Sequence, residues 1–179
     1  FWVRVPRVLT ALLVGGALAG AGCALQALLR NPLAEPFTLG ISSGASLFAV
    51  LAIRLGIETH IGGVGVGGAA LLGAFTTLLL VWQLARVGKQ LPPATLVLAG
   101  VTLSMFCSSA SVLIQYTSDC SDVSHMLRWM MGGLDVSSRA ISAWLAGPIL
   151  LAFLVLMANS PALNVMSIGD RTAQHLGID

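Results

Sequence analysis

Residues 8–29 read VLTALLVGGALAGAGCALQALL, a run without formal charge between Arg7 and Arg30. A helix needs about 20 apolar residues to cross a hydrocarbon core roughly 30 Å thick, so this stretch predicts one transmembrane helix. The pattern recurs: residues 36–53, 59–85, 90–118 and 140–169 are likewise free of Asp, Glu, Lys and Arg. Each can hold one span and none is long enough for two. Backbone amides in lipid must be satisfied within their own segment, which makes helices the default. The ten-residue alternation of a membrane β-barrel is absent. The fold class expected is an all-α membrane protein, a polytopic transmembrane helix bundle. Its spans fall at about 7–29, 39–57, 64–86, 94–116 and 140–158.

Composition agrees. Of 179 residues, 56% are hydrophobic and 9% charged, against roughly 25% charged in an ordinary soluble domain. Such a surface suits lipid and excludes soluble enzymes, secreted disulfide scaffolds and disordered tails. A net charge of +2 is too small and scattered for a polyanion, so no nucleic-acid partner is expected. Cys23 and Cys107 lie within spans and Cys120 in a loop, without metal-ligand spacing. Neither metal nor cofactor is expected. Five spans would place the termini on opposite sides of the membrane. The first residue is Phe1 and the last, Leu176-Gly177-Ile178-Asp179, stop in a polar segment, and the expectation is a part of a longer chain. The first stretch is too long for a signal peptide.

Small residues point to close helix packing. Gly16 and Gly20, Gly40 and Gly44, and Gly63 and Gly67 form G-x-x-x-G pairs, which let backbones approach in lipid. Two turns are stiffened by proline: Asn31-Pro32-Leu33-Ala34-Glu35-Pro36 and Leu91-Pro92-Pro93. In the fourth span Gly100, Ser104, Ser108, Ser111 and Gln115 recur every three or four residues, forming one small, polar helical face. Such a stripe either hydrogen-bonds neighbouring helices or lines a watery path. The charged loop from Thr117 to Arg139 should contain a short helix, capped by Ser121 or Asp122, with Met126 and Trp129 in its apolar body. Trp129 and Trp144 suit the membrane interface. Near the end, Ser167-Ile168-Gly169-Asp170 has the form of a capping box, predicting a short helix from Asp170 to Leu176 that ends at Gly177. Its mixed apolar and polar character invites docking on another protein.

Motifs of catalysis fail on context. Gly40-Ile41-Ser42-Ser43-Gly44 matches the nucleophile elbow but opens a span, with His60, His125 and His175 all in loops. Gly88-Lys89 is followed by Gln90, so no P-loop is present. No carboxylate or histidine lies deep in a span to relay protons.

Longer signatures carry a resemblance. Arg4-Val5-Pro6-Arg7, residues 15–26, Asn31-Pro32-Leu33-Ala34-Glu35-Pro36, Leu39-Gly40-Ile41-Ser42-Ser43-Gly44-Ala45, Leu98-Ala99-Gly100-Val101 and Trp129-Met130-Met131-Gly132-Gly133 resemble the FecCD-type permeases in order. Leu163-Asn164, Ile168-Gly169-Asp170, Ala173 and Leu176-Gly177 continue the match. These are membrane subunits of ABC importers for iron-siderophores, haem and cobalamin. The resemblance implies about ten helices per subunit, of which this chain supplies the second to sixth, and a multi-pass place in the bacterial inner membrane. It implies a second permease copy, an ATP-binding cassette ATPase subunit and an extracytoplasmic substrate-binding protein as partners, besides membrane lipid. Hydrolysis of ATP would belong to the ATPase, leaving this chain a transport subunit without enzyme activity. Arg4 and Arg7 would dock the binding protein, Pro6 keeping the backbone before Arg7 out of regular helix. Asn31, Pro32 and Leu33, with Pro92 and Pro93, would lie at the cytoplasmic gate, and Gly100 to Gln115 along the pathway. The segment at about 160–179, through Leu163, Asn164, Gly169, Asp170, Ala173, Leu176 and Gly177, would couple to the ATPase. Iron-siderophore complexes are the first cargo expected, with haem and cobalamin as alternatives. By class the rival is a secondary transporter, which requires intramembrane charge or helices broken at midplane. A more distant rival, an intramembrane hydrolase, requires a buried histidine facing Ser42 or Ser43.

Overall fold

Apolar runs separated by proline-bearing turns fold as helices that stop where an amide donor is missing. The computed structural model describes residues 4–57, 63–88, 91–133 and 139–168. Along them run α1 (Arg4–Leu29), a 3-10 turn (Pro36–Leu39), α2 (Ile41–Arg54), α3 (Gly63–Ala85), α4 (Pro93–Tyr116), α5 (Cys120–Met131), α6 (Arg139–Ala158) and α7 (Ser160–Ile168). The protein is an all-α, polytopic membrane protein. Among the described residues three helices are long and apolar enough to cross a bilayer, Arg7–Leu29, Gly65–Ala85 and Pro93–Tyr116, and the bent pair Ala146–Ala158 and Ser160–Met166 passes the same test together. The helices form two compact units, one holding α1, α6 and α7, the other the 3-10 turn and α2 to α5.

In the first unit α1 packs on α6 and α7. Helix α1 begins at Arg4 and runs through Pro6, contrary to the expectation that Pro6 would keep the segment irregular. Proline is tolerated in a first helical turn, where its missing N–H would have no intrahelical partner. A methyl group added at Gly20 would rest 3.5 Å from Leu156 Cδ1, whereas Gly15, Gly16 and Gly22 face open space. Of the first G-x-x-x-G pair, Gly20 alone therefore meets a neighbour among the described residues.

Helix α6 contains Pro148 and ends at a bend of 57° that joins it to α7. The sequence reading ends its fifth span at about 158 and starts the next segment at about 160, and the bend lies at that junction. Asn159 stands at the break, its amide Nδ2 donating to the Val155 carbonyl at 2.7 Å. Pro161 follows in the first turn of α7, where its ring cannot continue the α6 ladder. Ser167 lies inside α7, so it cannot be the cap of a later helix. A cap needs non-helical dihedrals, and α7 has already started seven residues earlier. The predicted helix from Asp170 to Leu176 lies outside the described residues.

The second unit is organised around α2. At 14 residues it spans about 21 Å, shorter than the expected span at 39–57, because the chain enters through the 3-10 turn and Gly40. Helices α2 and α3 cross at Gly44 and Gly73. A methyl on Gly44 would strike the Thr77 side chain and come within 2.9 Å of the Gly73 carbonyl, and one on Gly73 would meet Phe48 Cβ at 2.7 Å. Glycine on both helices is what permits the contact. Gly67, by contrast, faces open space, so at this crossing the close contacts of α3 come from Gly73 and Thr77.

Beyond this crossing, α2 presents Ala49, Val50, Ala52 and Ile53 to Val66 and Ala70 of α3 and to Met126 of α5. Met126 is fully buried. Its long, unbranched side chain fills the space beneath α5, and Trp129 packs partly against the same cluster. The cap of α5 is Asp119, in extended conformation, and not Ser121 or Asp122. Asp122 falls in the first turn instead, where a negative charge suits the helix dipole, and lies 3.8 Å from Arg54 at the end of α2.

Candidate functional site

The turn after α1 is built from polar side chains that close on its own backbone. The Asn31 N–H donates to the Gln26 carbonyl at 3.3 Å, the long-range bond of a Schellman motif. Arg30 occupies the left-handed position that such a motif requires, with φ 50°. Gln26 Nε2 donates to the Pro32 carbonyl at 3.0 Å, and the Leu33 N–H donates to Asn31 Oδ1 at 3.0 Å. These bonds hold Pro32 and Leu33 outward. Leu33 is 85% exposed, while Leu29 and Ala34 on either side are buried. Large apolar exposure beside a rigid turn suits a surface that meets another element.

The second proline turn is closed in a similar way. Pro92 is the extended N-cap of α4 and Pro93 its first residue, a position that needs no amide donor. The Thr95 hydroxyl lies 2.8 Å from the Pro92 carbonyl and 3.0 Å from that of Ala85. It therefore ties the start of α4 to the end of α3. Arg86 stacks over Trp82 with its guanidinium 5.4 Å from the ring centroid and donates from Nε to the Gly88 carbonyl.

The polar stripe of α4 divides in two. Gly100 receives the 3-10 turn: a methyl there would stand 2.5 Å from the Thr38 carbonyl oxygen and 2.8 Å from Leu39 Cα. Gly40, at φ 74°, would direct a Cβ to 2.8 Å from the Gly100 carbonyl and 2.9 Å from Ser104 Oγ. Ser111 is buried and donates to the Cys107 carbonyl at 2.9 Å. Gly100, Ser104, Cys107 and Ser111 thus form a seam that seats the 3-10 turn and α2. Ser108 is exposed. Gln115 is half-buried, with Nε2 3.2 Å from Met130 Sδ. The packing alternative left open by the spacing describes Gly100, Ser104 and Ser111, and the exposed remainder centres on Ser108.

Arg4 and Arg7 are both exposed on the first turns of α1. Leu163 is half-buried and Asn164 exposed on α7. Gly169, Asp170, Ala173, Leu176 and Gly177 lie outside the described residues. Sequence reasoning singled out neither Gln26 nor Arg30, although an arginine directly after an apolar helix, where glycine is usual, was a legible signal. The elbow-like Gly40 to Gly44 segment follows a 3-10 turn, not a strand, and so lacks the geometry of a hydrolase nucleophile. Among the described residues no group of His, Cys, Asp and Glu converges to hold a metal ion.

Comparison with known proteins agrees with this architecture. The FecCD transport family matches across residues 1–179. The vitamin B12 import system permease protein BtuC of Citrobacter koseri is 36% identical over 176 residues, covering 98% of this chain and 52% of the relative. BtuC of Salmonella arizonae gives the same identity and the same coverage. The chain spans about half the length of these curated relatives. A solved metal-chelate type ABC transporter in an inward-facing conformation superposes with TM-score 0.87 and 34% identity, over 99% of this chain and 56% of that one. These relatives do not single out iron-siderophores as cargo. A whole-chain family match, carried on an all-α polytopic scaffold of the inner membrane, makes this chain a member of the FecCD transport family.

Proposed function

We propose that this chain forms part of the permease subunit of a binding-protein-dependent ABC importer for a metal chelate. The observation that carries the reading is the superposition on a metal-chelate type ABC transporter over nearly the whole chain. In this role the chain lines part of the substrate path and hydrolyses no ATP itself, in keeping with a sequence that lacks a P-loop. A separate ATP-binding cassette subunit supplies the energy, an extracytoplasmic binding protein delivers the cargo, and a second permease copy completes the path. A corrinoid is the first cargo to test, because the vitamin B12 permeases are 36% identical. Iron-siderophores, the first expectation from sequence, and haem remain within the metal-chelate class.

Site roles follow on the same reading. The exposed Arg4 and Arg7 meet acidic side chains of the binding protein. Leu33, held outward by its turn, lies at the cytoplasmic gate together with the Pro92-Pro93 turn. Ser108 faces the path, and the segment from Leu163 onward contacts the ATPase. The test is reconstitution of the permease with its ATPase and binding protein in proteoliposomes. ATP hydrolysis should rise when the binding protein is loaded with cobalamin, and less with a ferric siderophore or haem. Stimulation by none of the three would refute the importer reading, and preference for a ferric siderophore would refute the corrinoid.

A further inference from the structure

Arg30 sits in a backbone conformation that costs an L-residue energy and that glycine adopts freely. Its side chain does something glycine could not. Nε donates to the carbonyl of Met166 at 2.9 Å, across 136 positions of sequence. Met166 lies on α7, close to the last described residue, Ile168, so the bond joins that helix to the end of α1. One residue thus terminates α1, begins the rigid Asn31–Leu33 turn and grips the end of α7. A guanidinium suits this work, because its planar fork holds a donor in fixed geometry toward a carbonyl.

From this geometry we infer that Arg30 is a positioning residue that links the end of α7 to the turn bearing Leu33, so that displacement of one is transmitted to the other. The inference rests on the importer reading, in which α7 leads into the ATPase-contacting segment and Leu33 lies at the gate. Arg30 touches neither cargo nor nucleotide; it acts through the elements it joins. If it were a helix terminator only, glycine at position 30 would serve as well or better.

The test compares Arg30→Gly and Arg30→Lys in the complete permease–ATPase complex. Arg30→Gly relieves the left-handed strain, so yield, assembly and basal ATPase activity should persist. Cargo moved per ATP hydrolysed should fall about tenfold. Arg30→Lys, which keeps a cationic donor, should recover part of that loss. Wild-type transport per ATP in Arg30→Gly would overturn the inference, as would loss of assembly, which would make the contact one of construction rather than transmission. A second arm needs no transport. Amide hydrogen exchange in residues 163–168 should accelerate in Arg30→Gly, while that of α4 stays unchanged. Unaltered exchange there would overturn the link even if the importer reading stands. If the wild-type complex shows no binding-protein-stimulated hydrolysis, the importer reading fails, and the exchange arm still judges the contact.

Discussion

Replacing Gly40 by alanine should be among the most destabilising single-methyl changes in the second unit, and its two causes can be measured apart. The first is conformational: at φ 74°, a Cβ costs about 1–2 kcal/mol, offset by about 0.4–1 kcal/mol from the less flexible unfolded chain. That conformational term alone comes to about 1 kcal/mol. The second is steric. At Gly40 the methyl would lie 2.8 Å from the Gly100 carbonyl oxygen and 2.9 Å from Ser104 Oγ, and overpacking typically costs about 1–3 kcal/mol. The sum for Gly40→Ala is about 2–4 kcal/mol. Adding Ser104→Ala should recover only part of this, since the hydroxyl leaves but the carbonyl stays. Equilibrium unfolding of the purified protein in mixed micelles with rising SDS would give the differences. If Gly40→Ala costs no more than the conformational term alone, about 1 kcal/mol, the contact between the 3-10 turn and α4 is not what holds Gly40.

Four further outcomes are expected. Gly73→Val should lower stability by about 1–3 kcal/mol or more in the same assay, because its side chain enters the α2–α3 crossing beside Phe48 and the backbone of Gly44; an unchanged midpoint would remove that crossing as a determinant. Met126→Ala should cost about 2–5 kcal/mol, while Arg54→Ala, with its ion pair 41% and 35% exposed, should cost no more than about 1 kcal/mol; the reverse order would place the energy of α5 in charge rather than packing. After removal of Cys23, Cys107 and Cys120, Ser108→Cys in the assembled permease should react with a small aqueous thiol reagent and Ser111→Cys, at 2% exposure, should not; labelling of 111 without 108 would refute the proposed path face. Reversing Arg4 and Arg7 to Glu should weaken binding-protein docking most at low salt, because such charges are screened over roughly 8 Å at physiological ionic strength; unchanged affinity there would leave both as interfacial anchors.

The amino-acid sequence by itself determined the solvent of this protein and the positions of its long helices. Spans at 7–29, 64–86 and 94–116 are legible because lipid imposes a local rule, that each segment satisfy its own amides and carry apolar side chains throughout. Nothing distant is needed to read it. The family was legible as well, since motifs such as Asn31-Pro32-Leu33-Ala34-Glu35-Pro36 stand whole in the chain. Tertiary structure decided the rest. Spacing made Gly100, Ser104, Ser108, Ser111 and Gln115 one stripe, yet their separation into a buried seam and an exposed Ser108 depends on which helix lies against α4, about which periodicity is silent. All G-x-x-x-G pairs look alike in sequence, whereas Gly44 meets Gly73 and Gly16 meets no described neighbour. A charge-free run at 140–169 leaves the 57° bend between α6 and α7 unstated, and the bond from Arg30 to Met166 joins residues 136 positions apart. Contacts at that separation exist only once helices have docked, so no local pattern encodes them.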